Sequence, residues 1–121
     1  MTARVTLEFC EVLVYDNYMV VTVNAGENID MRYHNQLVDV ADTYFDQRPF
    51  VYITHRINSY SVDPSVYQET SKLANLAGFC VVSKNYMAKS TAKIEKLFLN
   101  KPFEIFDTLE EAKEWAKTVT A

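Results

Sequence analysis

The sequence predicts a single α/β domain with a largely parallel sheet, and three observations support this prediction. Short apolar runs alternate with longer amphipathic segments, which is the pattern of strand–helix–strand units. The length of 121 residues suits one domain, and 49% of the residues are hydrophobic, which is enough for a core. No repeat, linker or low-complexity stretch interrupts the chain. We therefore expect one domain over residues 1–121, with the order β-β-α-β-α-β-α-β-α, five strands and four helices.

Two β-branched runs predict an opening hairpin. Val5–Tyr15 and Tyr18–Val23 flank the pair Asp16-Asn17, and these polar residues favour a tight turn between antiparallel strands. The hairpin is expected to form an antiparallel edge of an otherwise parallel, mixed sheet.

The first helix is predicted to begin at Asp30, a good N-cap residue, and to run to about Gln47 with an apolar residue every three or four positions. Arg48-Pro49 ends it, because the residue before proline is pushed out of the helical region. His34 is interpreted as a surface side chain. A solvated acidic face, rather than a metal cluster, is expected for Asp39, Asp42 and Asp46.

Phe50–Thr54 is a continuous apolar run, which is typical of a central strand covered on both faces. Asp63-Pro64 predicts the start of the second helix, with Asp63 as the capping residue and Pro64 at the first helical position. The expected inner face of this helix consists of Val66, Tyr67, Thr70, Leu73 and Ala74.

Phe79–Val82, which follows Gly78, predicts another buried strand, and a third helix is expected from Met87 to Leu99. The inner face predicted for the third helix consists of Thr91, Ile94, Leu97 and Phe98. Side chains expected to be largely buried include Ile53, Leu73, Val81, Leu97 and Trp115.

The C-terminal segment predicts one strand and one helix. The apolar pattern of Phe103–Phe106 predicts a strand with polar Glu104 facing outward. Thr108 and Glu111 have the spacing of a capping box, which predicts the start of a final amphipathic helix.

Composition narrows the classes of partner. The chain has 12 basic and 16 acidic residues, whereas nucleic-acid-binding proteins usually carry a basic excess, so we expect no nucleic-acid partner. The N-terminus lacks the apolar segment of a secretory signal, and no apolar run approaches the roughly 20 residues of a transmembrane helix. We therefore expect a cytoplasmic protein without a transmembrane segment.

No residue pattern indicates an enzyme. With only two glycines, the chain cannot form a glycine-rich phosphate loop or a dinucleotide fingerprint. No nucleophile elbow and no zinc-protease motif occur. Cys10 and Cys80 lie far apart within apolar stretches and are interpreted as buried free thiols. We expect neither a cofactor nor a metal.

The carboxyl edge of the sheet is the candidate site. His55 and Arg56 follow the central strand, and parallel sheets bind ligands at this edge. Arg56 is expected to lie at the edge of the loop, where it contributes little to stability, and with His55 it favours an acidic partner or a carboxylate ligand. The candidate surface for a ligand or partner comprises His55, Arg56, Asn58, Tyr60 and Asp63.

Four tyrosines are also expected near this edge. They either line a pocket for an apolar ligand or fill the core with their hydroxyls reaching water. These residues are Tyr52, Tyr60, Tyr67 and Tyr86.

The order of elements and the closing segment Phe106–Trp115 carry a family resemblance. This segment has a phenylalanine, a capped turn, acidic residues, an alanine and a tryptophan. From Phe50 onward the chain resembles the STAS superfamily, in the SpoIIAA-like branch of anti-sigma-factor antagonists that is grouped with the lipid-binding Sec14 lobe. The resemblance implies a STAS-like fold and a non-enzymatic domain that contacts proteins or holds a small ligand.

In the anti-sigma-factor antagonists, a serine at the start of the helix after the third strand is phosphorylated. The matching stretch Asn58–Ser65 offers Ser59 and Ser61 as possible phosphoacceptors, although it lacks the glycine of the family motif and Asp63-Pro64 follows the serines. The resemblance therefore implies a regulatory or protein-interaction module. The alternative is a carrier of a small molecule or lipid with a Tyr-lined pocket. A homodimer is expected because exposed strand edges in small domains tend to be covered.

Overall fold

A six-stranded sheet forms the centre of the molecule. The computed structural model describes residues 1–121. The elements are β1 (Ala3–Thr6), β2 (Cys10–Val14), β3 (Tyr18–Val23), β4 (Asn28–Ile29), α1 (Met31–Phe45), β5 (Phe50–His55), β6 (Ser61–Val62), α2 (Ser65–Thr70), β7 (Leu76–Val82), α3 (Tyr86–Glu95), β8 (Phe103–Phe106) and α4 (Leu109–Val119). The main sheet has the order β1-β2-β3-β5-β7-β8, and β4 pairs with β6 in a separate two-stranded sheet.

The main sheet is mixed and mostly parallel, as predicted. β1, β2 and β3 pair antiparallel, whereas β3, β5, β7 and β8 pair parallel. The expected number of five strands is wrong, because the run Val5–Tyr15 forms two strands instead of one. The chain reverses after Thr6 in a turn closed by a hydrogen bond from the Leu7 N–H to the Cys10 carbonyl, and this turn places Phe9 in the core.

The sheet is covered on both faces. Alternate residues of β5 point to opposite sides, so Val51 and Ile53 pack with Ala112 and Ala116 of α4. The other face of the sheet packs against α1, α2 and α3. The central strand predicted for Phe50–Thr54 is therefore confirmed, and both Ile53 and Val81 are fully buried.

The first helix begins where the sequence predicts. The Asp30 carboxylate accepts a hydrogen bond from the Tyr33 N–H, but α1 ends at Phe45 because Asp46 adopts a left-handed backbone with φ 54°. The predicted acidic face of α1 is exposed to solvent. His34 is only 7% exposed, so its interpretation as a surface residue is wrong. It lies 3.4 Å from the Thr70 hydroxyl, because α2 covers this side of α1.

The second helix is shorter than predicted. It begins at Ser65 with Pro64 in the N-cap position, and Asp63 lies one residue further out, where its carboxylate accepts a hydrogen bond from the Ser65 N–H. Val66, Tyr67 and Thr70 are buried as expected. Leu73 and Ala74 follow the end of the helix, so Leu73 is half-buried and Ala74 is exposed.

The third helix presents a different face to the sheet from the one predicted. Ala92 and Glu95 are its buried residues, whereas Ile94 and Leu97 are 59% and 81% exposed, so the prediction that Leu97 is buried is wrong. Thr91 and Phe98 are exposed as well. The small Ala92 allows α3 to approach the sheet closely, and the bulky side chains on its opposite side remain in solvent.

The last helix has the predicted capping box. The Thr108 hydroxyl accepts a hydrogen bond from the Glu111 N–H, and the Glu111 carboxylate accepts one from the Thr108 N–H. Trp115 of α4 is half-buried and lies directly over Gly78 of β7. A Cβ atom at position 78 would stand 2.7 Å from the indole ring, which explains a glycine within this strand.

We expect Gly78→Ala to destabilise the fold by about 1–3 kcal/mol, because the added methyl group overlaps the indole. Trp115→Phe removes the overlapping part of the ring, so the same alanine should be tolerated much better in that background. Urea denaturation of the two single variants and the double variant measures this difference. An equal loss in both backgrounds would contradict the steric explanation.

Candidate functional site

The carboxyl ends of the parallel strands β3, β5, β7 and β8 bring four loops to one edge of the sheet. The loop after β5 forms one side of an open groove, and the first turns of α3 form the other. We call this depression, which has a volume of about 560 Å³, the edge groove. It is lined by Arg56, Ile57, Asn58, Ser59, Tyr60, Asn85, Met87, Ala88 and Thr91. A second depression of about 290 Å³ adjoins it beside His55, Lys84 and Asp107.

Hydrogen bonds hold the loop after β5 in place. The Asn58 side-chain amide donates to the Val23 carbonyl at the end of β3 over 3.0 Å. The Gly26 N–H donates to the Ser59 carbonyl over 2.8 Å, with Gly26 in a left-handed conformation at φ 80°. The loop is therefore fixed against the neighbouring turn, and its outer side chains have a defined arrangement in the groove.

A buried ion pair forms the floor of the site. The Arg56 guanidinium donates to the Glu95 carboxylate over 2.8 Å, and both residues are only 8% exposed. The Arg56 Nε donates to the Tyr60 hydroxyl over 3.2 Å, and this hydroxyl lies 2.8 Å from that of Thr54. Arg56 is therefore not the solvated residue at the loop edge that the sequence predicts. It joins the end of β5 to α3.

A small cavity lies behind this ion pair. Its volume is about 40 Å³, and Arg56 and Tyr60 separate it from the edge groove. Tyr52 and Tyr67 also line it, whereas Tyr86 lies outside and is exposed. The buried Tyr67 hydroxyl has no hydrogen-bond partner. Burial, followed by the nearby Glu95 carboxylate, raises the pKa of Tyr67 far above its ordinary value, so this hydroxyl stays protonated.

The structure brings most of the predicted site residues together. His55, Arg56, Asn58, Ser59 and Tyr60 line the two depressions. Burial lowers the pKa of the half-buried His55, so this imidazole is neutral at neutral pH and the positive charge expected from it is absent there.

Ser61 and Asp63 lie apart from the groove. The Ser61 hydroxyl, on β6, donates to the Asn28 side chain over 2.8 Å. Asp63 binds the backbone N–H and the hydroxyl of Ser65 at the start of α2. Neither residue lines the depressions at the carboxyl edge.

The sequence reasoning missed two contributors to the site, Glu95 and Asn85. Glu95 stands between Lys93 and Lys96 and looks like a surface residue until its pairing with Arg56 is seen. Asn85 caps α3 by accepting a hydrogen bond from the Ala88 N–H, and an asparagine ahead of an amphipathic segment is a signal that could have been read.

Other reactive groups of the chain lie away from this edge or are shielded. Cys10 and Cys80 are buried free thiols, as predicted, and burial raises the pKa of each to about 12, which suppresses the thiolate form. No three His, Cys, Asp and Glu side chains come together in a geometry that could hold a metal ion. No helix has the length and apolar character needed to cross a bilayer.

Comparison with known proteins identifies the fold. No family model matches the chain, and no curated protein sequence matches it. Among solved structures, the chain is similar to an uncharacterised protein of the DUF3478 family from Shewanella loihica PV-4, which has a SpoIIAA-like fold. The TM-score is 0.56 and the identity is 9%, over 88% of this chain and 91% of the other. The SpoIIAA-like fold implied by the sequence resemblance is therefore confirmed.

The Arg56–Glu95 pair gives a test by double substitution. Arg56→Met or Glu95→Leu leaves one buried charge without its partner, and each change should destabilise the fold by about 3–5 kcal/mol. The double variant removes both charges and should lie within about 1–2 kcal/mol of the parent. Urea unfolding of the four proteins measures the coupling. Strictly additive losses would show that the two charges do not depend on each other.

His34 should make the fold sensitive to mild acid. Burial lowers the pKa of His34 below its ordinary value of 6.5, and Glu69 opposes this only in part. The unfolded chain therefore binds this proton at a higher pH than the folded protein. The contribution of the neutral His34 to the free energy of unfolding is fully present above about pH 6.5. It is lost as the pH falls toward the lowered pKa.

We expect the melting temperature to fall between pH 7.5 and pH 5.5, and His34→Gln to reduce this fall. His55→Gln is the matched control, since His55 is half-exposed and should contribute less. A pH dependence that is unchanged in His34→Gln would rule out this role for the buried imidazole.

Proposed function

We propose that the protein is a non-enzymatic protein-interaction module that binds its partner at the edge groove. The observation that carries this proposal is the exposure of large apolar side chains at the groove: Ile57 is 65% exposed and Met87 is 70% exposed. Exposed apolar side chains grouped around a concave surface are typical of interaction sites. The SpoIIAA-like fold supports a regulatory role of this kind, because the family resemblance implies protein contacts.

The size of the inner cavity favours this function over that of a carrier. Ligand pockets usually measure roughly 300–1,000 Å³, whereas the cavity lined by Tyr52, Tyr60 and Tyr67 has about 40 Å³. That volume suits a few water molecules, and one of them would satisfy the Tyr67 hydroxyl. A lipid would require α2 to move away from the sheet.

Ser59 is the better placed of the two possible phosphoacceptors. It is exposed and lines the edge groove, so a phosphate there would face the partner directly. Ser61 lies outside the groove and its hydroxyl is bound to Asn28. A phosphorylation switch would therefore act at Ser59 through charge at the interface.

Site-specific photo-cross-linking in the protein's own host tests the proposal. Benzoylphenylalanine placed at position 57 or 87 should give cross-links to a discrete partner protein. The same group at position 39, which is exposed on α1, is the matched control and should give none of these adducts. The proposal fails if positions 57 and 87 give no protein adduct, or if position 39 gives the same adducts.

A further inference from the structure

We infer that the partner docks as an acidic amphipathic helix along the solvent-facing side of α3, with one end in the edge groove. This inference rests on the proposed function, since it names the chemistry of the partner at that same surface. It starts from the unusual orientation of α3, whose bulky apolar residues point away from the sheet. We call these residues the outer stripe of α3: Tyr86, Met87, Ile94, Leu97 and Phe98.

The outer stripe has the spacing of a helix-binding surface. Met87, Ile94 and Phe98 are separated by seven and four positions, so they lie on one side of α3 and of the turn that follows it. The segment 86–98 would be about 20 Å long as a helix, which is the length of contact that an amphipathic helix makes in a groove. All five stripe residues are exposed, and nothing within the chain covers them.

The charge around the outer stripe is opposite to that of the rest of the molecule. Residues 84–101 contain five lysines and one acidic residue, Glu95, which is buried against Arg56. The remainder of the chain contains seven basic and fifteen acidic residues. Lys84, Lys93 and Lys96 are exposed and make no ion pair. The apolar stripe and unpaired lysines of α3 are complementary to a partner helix whose own apolar stripe is flanked by Asp and Glu.

The shape of the site favours a protein helix over a membrane surface. The stripe continues into the edge groove, because Met87 belongs to both. The groove is concave and carries the polar side chains of Asn58, Ser59 and Asn85. A flat bilayer surface cannot fill such a concavity, whereas a helix end and its free backbone groups can enter it and form hydrogen bonds.

The same charges disfavour a symmetric dimer through this face. A two-fold contact would place the stripe of one copy on the stripe of the other, and it would bring the exposed lysines that flank the two stripes close to one another. Like charges at an interface oppose association. The partner of the stripe is therefore a different, acidic segment.

Nuclear magnetic resonance on the ¹⁵N-labelled full chain tests this inference with three designed helical peptides. The peptides share one leucine stripe and carry Glu, Lys or Gln at all other positions. With the Glu peptide, saturable changes in amide chemical shift should be confined to residues 57–60 and 84–98. Added salt should weaken the binding of this peptide. The Lys peptide should bind at least about tenfold more weakly, since several attractive charge pairs become repulsive.

Charge reversal provides the matched variants. Lys93→Glu with Lys96→Glu should lower the affinity for the Glu peptide by about tenfold and raise that for the Lys peptide. Lys72→Glu with Lys117→Glu changes the net charge equally at exposed positions outside α3 and should leave both affinities nearly unchanged. A melting curve for each variant checks that it is folded.

Several outcomes would overturn the inference. These are the absence of saturable shifts on α3, equal affinity for the three peptides, and shifts on α3 that appear with phosphatidylglycerol vesicles but not with the Glu peptide. Cross-linking separates this failure from failure of the proposed function. Protein adducts at positions 57 and 87 together with an inert Glu peptide would leave the interaction module standing and remove the acidic helix. Vesicle binding without protein adducts would remove both.

Discussion

The buried ion pair between Arg56 and Glu95 is the constraint on which the proposed binding surface depends. It joins the carboxyl end of the central strand to α3 across 39 positions of sequence. A buried charge is tolerated only when its partner is close and well oriented, so the pair fixes the rotation of α3 about its own axis. That rotation determines that Ile94 faces solvent and that Ala92 faces the sheet.

Magnitudes show why α3 does not turn its apolar side inward. Burying Ile94 and Leu97 would each contribute about 1.5–3 kcal/mol. Rotating α3 in this way would also leave Arg56 buried without a counter-charge, which costs about 3–5 kcal/mol. In addition, the bulky side chains would have to fit where Ala92 now contacts the sheet with no exposed surface. The apolar gain from the two side chains, about 3–6 kcal/mol together, is about the size of the charge penalty, so the steric misfit at Ala92 decides against this rotation and the outer stripe stays exposed.

Local patterns in the sequence predict much of the fold, whereas contacts between distant segments cannot be predicted from these patterns. The Asp30 cap and the Thr108 capping box act within one helical turn, so both could be read directly. Periodicity located an apolar stripe on α3, but periodicity alone does not say whether a stripe faces the core or solvent. Glu95 looked solvated because its partner lies on another element. The surface position predicted for His34 is wrong for the same reason, since α2 covers this residue.

The polar corner at the end of β5, formed by Thr54, Arg56, Tyr60 and Glu95, restricts the orientation of α3. Replacing a buried ion pair by apolar residues of similar size is often neutral or stabilising. Dispersion and burial are not directional, so in a wholly apolar corner only the steric fit at Ala92 would restrict the rotation of α3. The guanidinium of Arg56 has a fixed donor geometry, so its pairing with Glu95 permits only one rotation of α3. The pairing of Arg56 with Glu95 thus selects the arrangement in which the apolar stripe, the lysines and the groove form one surface.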